Sequence, residues 1–398
     1  MPDSGATKLD ATKLRPTMTD VAREARVSLK TVSRVVNGEG NVRASTARGV
    51  QNAIEKLGYR RNDHARALRQ SRPPRLLGLV TKDVSNPFYS AIARGVEEVV
   101  RDRGLLVISG SSDEDASRER ELLELLCERR VGGLLVVPTG RDHSFLAKEV
   151  EVGTPVVFID RPPVRLRADT ILLDNFGGAY RAVAHLLAGG HRRVALVGDL
   201  PWVFTASERL RGYRAAFKAA GLPVDARLVR VGCHDSASAE KAARELLALE
   251  QPPTAYFAGN NRITFGVLAA FAGLERPPAL IGFDDFELAT LLSPPVSVVA
   301  YDPVELGRRA ARLICDRLDG SGGPPRRIVV PTEVVARGSG EVAPGQDAPR
   351  PTAPRRGPPP LAGPTGRLPR GADPTSRLPR SAGARHPASA GAWRQADG

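Results

Sequence analysis

"TMTDVAREARVSLKTVSRVVNG", residues 17–38, decides how this chain is read. It breaks into two short amphipathic turns of helix. Thr17 stands where a side-chain oxygen caps a first helix, and Asp20 holds the reciprocal position of a capping box. Val21, Ala22 and Ala25 form one apolar face. Ser28 is placed to cap a second helix whose Val32, Val35 and Val36 point inward. Leu29, Lys30, Ser33, Arg34 and Asn37 then point outward. A third helix over about Ser45–Leu57 puts Val50, Ile54 and Leu57 inside, and Gly58 ends it. Two short helices at an angle, the second showing Lys, Ser, Arg and Asn, suit the major groove of DNA. By pattern alone, a small helical bundle with a solvated polar face fits as well.

Charge adds to the first reading. Residues 1–72 hold 15 Lys and Arg against 7 Asp and Glu. Residues 340–398 hold 9 Arg against 4 acids, which leaves only about +1 of the total +14 for everything between. A basic head on a near-neutral body points to a polyanion partner at the head.

From Leu76 onward the pattern changes. Short apolar runs, "LLGLVT", "LLVISGS", "GGLLVVP", "PVVFID", "VALVGD", "TAYFAG", "ALIGFDD" and "SVVAYD", alternate with amphipathic helices such as Phe88–Arg103 and Ser117–Glu128. Strands apolar throughout and separated by helices predict parallel sheets covered on both faces. Some 260 residues in this pattern predict two doubly wound α/β lobes, with a ligand cleft at the carboxyl ends of the strands. Between head and core lies "NDHARALRQSRPP" (62–74), a capped turn or two of helix too short to be stable in water. Residues 1–16 have no periodicity and read as a disordered arm. From Ser339 the chain is rich in Pro, Gly and Arg and reads as a disordered tail.

Three widely spaced cysteines, Cys127, Cys233 and Cys315, and no C-x-x-C argue against a disulfide framework. No apolar run reaches membrane-spanning length, and "MPDSGATKLD" has no apolar signal core, so a cytoplasmic protein without a membrane partner is expected. There is no P-loop, G-x-G-x-x-G, G-x-S-x-G or metal-spaced His/Cys set, so no enzyme, metal or cofactor is expected.

"TDVAREARVSLKTVSRVVNGEGNVRASTARGVQNAIEKLGYRRNDHARALR" resembles the DNA-binding region of the LacI/GalR family of transcription regulators. The resemblance runs on through "SNPFYSAIARGVE", "VVFIDR", "GHRRVALVGD", "ERLRGYRAAF", "FAGNN" and "IGFDD", covering roughly Thr17 to Gly338. It implies a helix-turn-helix domain (17–61), a hinge helix and linker (62–74), and a two-lobed periplasmic-binding-protein-like core (75–338). Lobe one would take about 75–172 and 303–330, lobe two about 173–302 and 331–338, with the tail at 339–398. It also implies a homodimer, most naturally a repressor, on palindromic double-stranded operator DNA. A small molecule between the lobes, by its implied contacts a sugar or sugar derivative, would control it. A stand-alone solute receptor and a sugar-processing enzyme share such a core, but the basic head and the missing catalytic set count against them.

Carried over residue by residue, Leu29, Lys30 and Arg34 would read bases; Thr31, Ser33 and Asn37 would contact phosphates; Thr17 and Ser28 would lie at the DNA as caps; Arg43, a departure from the pattern, would compensate as a phosphate contact. Asn62 would cap the hinge helix, with Leu68 as a minor-groove wedge and Ala65 beside it. Phe88, Tyr89, Asp160, Arg161, Trp202, Arg209, Asn260 and Asp284 would hold the effector. The chain departs from the family pattern at Arg26 (usually Gly), Arg43 (Ser), Ala47 (Arg), Arg61 (Pro), Asn261 (Asp) and Tyr301 (Gln). At Arg26 this predicts a non-glycine residue at positive φ.

Overall fold

The structure, a computed structural model, describes residues 16–59 and 76–345. The head is three helices, α1 (Met18–Glu24), α2 (Leu29–Val36) and α3 (Ala44–Leu57). The capping box at α1 is formed: the Asp20 amide donates to Thr17 Oγ1 at 3.3 Å, and the Thr17 amide donates to Asp20 Oδ2 at 2.9 Å. Ser28 Oγ accepts the Thr31 amide at 3.1 Å and so caps α2. Arg43 offers no side-chain cap to α3, and Gly58 ends that helix at φ 64°. Val21, Ala22, Val32, Val50 and Ala53 are buried at the centre, with Val35, Val36, Ile54 and Leu57 packed around them. Arg26 does sit in the left-handed region, at φ 51°, where Cβ crowds the backbone.

The core builds two six-stranded sheets. The first carries β1 (Leu76–Thr81), β2 (Leu106–Ser111), β3 (Gly133–Val136), β4 (Val156–Ile159), β5 (Asp169–Leu173) and β11 (Arg327–Val330), in the order β11-β5-β4-β3-β1-β2, all parallel. The second carries β6 (Val194–Val197), β7 (Val229–Arg230), β8 (Ala255–Ala258), β9 (Ala279–Phe283), β10 (Ser297–Ala300) and β12 (Glu333–Val335), in the order β12-β10-β9-β8-β6-β7. Only β12 runs antiparallel there. Helices α4 (Pro87–Arg101), α5 (Ala116–Glu128) and α6 (Ala147–Glu151) follow strands of the first sheet. Helices α7 (Asn175–Ala188), α8 (Phe204–Ala219), α9 (Ser236–Leu247) and α10 (Asn261–Phe271) belong to the second, and α11 (Pro303–Leu318) returns to the first. The chain thus crosses between lobes after β5, after β10 and after β11.

The apolar runs read from sequence are these strands; inner ones such as Leu134–Val136 and Val156–Ile159 are buried at every position. Four strands lack such a run. "DTILL" of β5 is fully buried but closed off by acids on both sides; β7, β11 and β12 are short edge pieces. In lobe one α4 and α11 touch backbone to backbone. A Cβ on Gly307 would lie 2.1 Å from the Ile92 carbonyl oxygen, and one on Gly95 would lie 2.0 Å from that of Val304.

One boundary read from sequence is corrected. Ser339, placed there at the start of the tail, belongs to the second lobe. Ser339 is buried, donates to the Leu280 carbonyl at 2.6 Å and accepts the Ser297 amide at 2.8 Å. Glu341 accepts from Ser297 Oγ at 2.9 Å, and His191 Nε2 lies 2.9 Å from the Val342 carbonyl. Composition turns polar at Gly338, but these hydrogen bonds hold the segment on the sheet.

Candidate functional site

The head presents one polar face. On α2, Leu29 is half exposed and Lys30 is exposed, while Thr31, Ser33 and Arg34 are partly covered. Asn37 is held from both sides, donating to Ser33 Oγ at 3.3 Å and to Glu39 Oε1 at 3.2 Å. Thr31 Oγ1 lies 2.8 Å from Ser28 Oγ, so the cap hydroxyls form a pair at the start of the helix. Arg43 is exposed, and neither it, Lys30 nor Arg34 has an ion-pair partner among the described residues. Unpaired cations on an amphipathic helix are free to meet phosphate oxygens or base edges. The hinge positions Asn62, Ala65 and Leu68 lie outside the described residues.

The second site is a cleft of about 220 Å³ between the lobes. Every strand whose carboxyl end reaches it delivers polar residues. Asp160 follows β4 at φ 68°, and Asp284 follows β9 at φ 75°, turns that aim side chains off the strand end and that Asp tolerates better than most residues. From lobe one come Lys82, Asp83, Asn86, Phe88, Tyr89, Asp160 and Arg161; from lobe two, Asp199, Thr205, Arg209, Asn260, Asn261, Arg262 and Asp284; Tyr301 stands at a crossover.

Of the eight effector residues read from sequence, seven line this cleft. Trp202 does not: it is 63% exposed, while its neighbour Val203 takes the inward position as the residue before α8. Phe88 and Tyr89 meet edge to face at 4.8 Å, and Phe88 meets Tyr301 at 5.9 Å, forming an aromatic wall. Arg209 is buried and fixed on all sides. Its Nε donates to Asn175 Oδ1 at 2.8 Å and its Nη1 to the Gly259 carbonyl at 2.5 Å. The guanidinium lies 3.7 Å over the Phe283 ring, with Asp284 at 3.8 Å. Asp284 also accepts from Tyr301 Oη at 2.7 Å and from the Asn261 amide at 3.2 Å. Asn260 is a helix cap, accepting the Ile263 amide at 2.9 Å and donating to Asp199 Oδ2 at 3.0 Å.

Arg161 forms a fork with Glu114, at 2.5 and 3.1 Å, and Lys82 reaches the same carboxylate at 3.0 Å. Burial raises the Glu114 carboxyl, but the two cations outweigh that and hold it below its usual range. Asp160 is different. Burial dominates, and its carboxyl is pushed up to about 6, although Arg161 and Arg209 pull it down. Asp160 Oδ1 and Arg161 Nε are the two buried side-chain polar atoms without a hydrogen-bond partner among the described residues.

Sequence reading missed Asp83, Asn86, Asn175, Asp199 and Arg262. Asn86 and Asp199 carried a signal, since Asn86 closes and Asp199 opens a strand–helix connection. Asn175 and Arg262 carried none, because their roles depend on partners far away in sequence.

Residues 17–62 match the family model described as bacterial regulatory proteins, lacI family, and residues 183–340 match the periplasmic binding protein-like domain. The chain is 32% identical over 336 residues to the HTH-type transcriptional regulator DegA of Bacillus subtilis (strain 168), covering 82% of this chain and 98% of that one. Among solved structures it resembles the transcriptional regulator CelR–cellobiose complex, with a TM-score of 0.61 and 30% identity, over 82% of this chain and 100% of that one. It also shares its fold with the lac repressor dimer bound to operator and an anti-inducer, with a TM-score of 0.69 and 24% identity, over 83% and 100%.

Proposed function

The chain belongs to the lacI family of bacterial regulatory proteins, a family of DNA-binding transcription regulators, and from that premise we propose that it is a homodimeric repressor. Its hold on a palindromic operator is set by a sugar bound between the lobes, and it works in the cytoplasm where that DNA lies. The observation that carries the sugar reading is the orphan pair in the cleft. Asp160 Oδ1 lacks a donor and Arg161 Nε lacks an acceptor, both in buried positions. A buried polar group left unpaired costs free energy, so a ligand that pairs both is favoured. Neighbouring hydroxyls do this, since each both donates and accepts. The aromatic wall of Phe88 and Tyr301 offers a face for the apolar side of a sugar ring. That the relative CelR is solved with cellobiose supports the same class.

The DNA reading rests on the unpaired Lys30, Arg34 and Arg43 together with exposed Leu29. Leu68 is assigned the minor-groove wedge of the hinge, with Asn62 as its cap and Ala65 beside it. Two-fold dimers read two half-sites, hence the palindrome. The homodimer reading draws on exposed apolar side chains on each lobe: Leu106 and Ile108 on the edge strand β2, and Leu288 and Leu291 in the connection between β9 and β10. Exposed apolar side chains of this kind are often covered by a partner.

Full-length protein titrated onto DNA from upstream of its own gene tests the reading. Binding should be steeply salt dependent, because each neutralised phosphate releases counterion. A panel of sugars scored by thermal shift should raise the melting temperature in at least one case. The same sugar should change operator affinity, and Arg209→Ala should abolish that change while leaving operator binding in place. A melting temperature moved by adenosine and by no sugar would refute the sugar assignment, and no salt-sensitive binding to any upstream fragment would refute the DNA assignment.

A further inference from the structure

The mouth of the cleft is bridged. Arg262, the second residue of α10 in lobe two, donates from Nη2 to Asp83 Oδ2 at 2.6 Å and to Ser85 Oγ at 3.0 Å. Beside it Asn261 Nδ2 donates to Asn86 Oδ1 at 2.9 Å. Asp83, Ser85 and Asn86 all belong to the connection between β1 and α4 in lobe one. These bonds join the two lobes and are made by residues 175 to 179 positions apart. We infer that Arg262 is a specificity-determining residue, whose ion pair with Asp83 closes the cleft over a single uncharged sugar ring and shuts out a second ring. The inference rests on the sugar reading proposed above and narrows it.

Size supports one ring. With the mouth closed the cleft holds about 220 Å³, below the roughly 300–1,000 Å³ of sites that take drug-sized ligands. Trp202, the extra stacking surface a longer saccharide would use, is turned to solvent.

Charge supports a neutral ligand. Each cation in the cleft already has a carboxylate: Lys82 and Arg161 share Glu114, Arg209 faces Asp284, and Arg262 holds Asp83. Asp160 lies 3.8 Å from Arg161 Nε and Asp235 3.5 Å from His234 Nε2, and with Asp199 the cleft and its partners hold six carboxylates against Lys82, three arginines and one histidine. A phosphorylated or acidic sugar would therefore meet surplus negative charge and no free cation. A simple ammonium ion would pair Asp160 Oδ1 but leave Arg161 Nε without the acceptor that a hydroxyl supplies.

Isothermal titration of the full-length protein provides the test. The panel is ribose, xylose, glucose, galactose and mannose, with glucose 6-phosphate and the disaccharide cellobiose. The expected result is binding of at least one neutral monosaccharide, with the phosphate and the disaccharide each at least about tenfold weaker. In Arg262→Ala the monosaccharide should weaken by about two- to fivefold, as loss of a partly exposed ion pair implies. The disaccharide should lose less or gain, so the ratio between them narrows. The charge swap Asp83→Arg with Arg262→Asp should restore the wild-type ratio, which a merely misfolded variant would not do. Wild-type protein that prefers cellobiose or glucose 6-phosphate, or an unchanged ratio in Arg262→Ala, overturns this inference and leaves the sugar reading standing. Binding of no sugar in the panel overturns both.

Discussion

Asp160→Asn separates the charge in the cleft from its shape. Asp160 is buried at the end of β4, and burial lifts its carboxyl from the ordinary 3.8 to about 6. The folded protein therefore holds this proton more tightly than the unfolded chain does. Stability tied to that proton is fully present below pH about 4 and is lost as pH rises through about 6. A displacement of about two pKa units, at about 1.4 kcal/mol each, makes ionised Asp160 a burden of about 3 kcal/mol at neutral pH. Asn keeps the shape, accepts φ 68° and carries no charge. Arg161 keeps its fork to Glu114 when the Asp160 charge is gone. The variant should be more stable than the parent by up to about 3 kcal/mol at pH 7.5, and by little at pH 4. Urea denaturation of the full chain, followed by fluorescence at the two pH values, measures both numbers. The gain should come with about tenfold weaker sugar binding, because hydrogen bonds to a charged acceptor are about twice as strong as neutral ones. A variant less stable than the parent at pH 7.5, or equally stabilised at both pH values, would show that the buried charge is not what strains the cleft.

Three further outcomes follow from single contacts. Arg34→Ala should weaken operator binding by about 1–3 kcal/mol and relax selectivity at one base position, read by binding to a library of single-base operator variants; equal weakening on every sequence would reduce Arg34 to a phosphate contact. Gly307→Ala places a Cβ 2.1 Å from the Ile92 carbonyl oxygen, and a backbone atom cannot swing aside, so lobe one should lose about 1–3 kcal/mol or more in urea denaturation. A loss under about 0.5 kcal/mol, within the scatter of ordinary surface changes, would mean α4 and α11 separate easily. Arg26→Gly relieves the left-handed strain in the turn between α1 and α2 and should raise amide-exchange protection in those helices of the full-length protein by about 1 kcal/mol; unchanged protection would place the strain elsewhere.

The fold was legible wherever the physics is local. The capping hydroxyls of Thr17 and Ser28 and the strands running apolar from end to end follow from a residue and its near neighbours, while the left-handed Arg26 was read from the glycine that the family resemblance puts there. What escaped depended on context. β5 is buried on both faces, yet it opens on Asp169 and is followed by Asp174, and its apolar run is too short to stand out. Ser339 lies in a stretch whose composition reads as tail, and only its bonds to Ser297 and Leu280 reveal it as core.

The site divides along the same line, and the division has a physical cause. Asp160, Asn260 and Asp284 follow strand ends, where a topological rule places ligands, while Arg209, within α8, was read from the resemblance alone. Asn175 and Arg262 are defined instead by one partner across the molecule: Asn175 by Arg209, which it fixes at the crossover, and Arg262 by Asp83, which it reaches across the mouth. The Asn175 bond lies within the second lobe and orients Arg209 there. The Arg262 bond exists only when the two lobes meet, so its energy reports their closure and not the stability of either. Trp202 fails for the converse reason: its size and position suggest a stacking wall, but Val203 takes the one inward place that the turn before α8 allows. Large side chains near a cleft therefore say less about its ligand than small polar ones whose hydrogen bonds are left open inside it, and here those are Asp160 Oδ1 and Arg161 Nε.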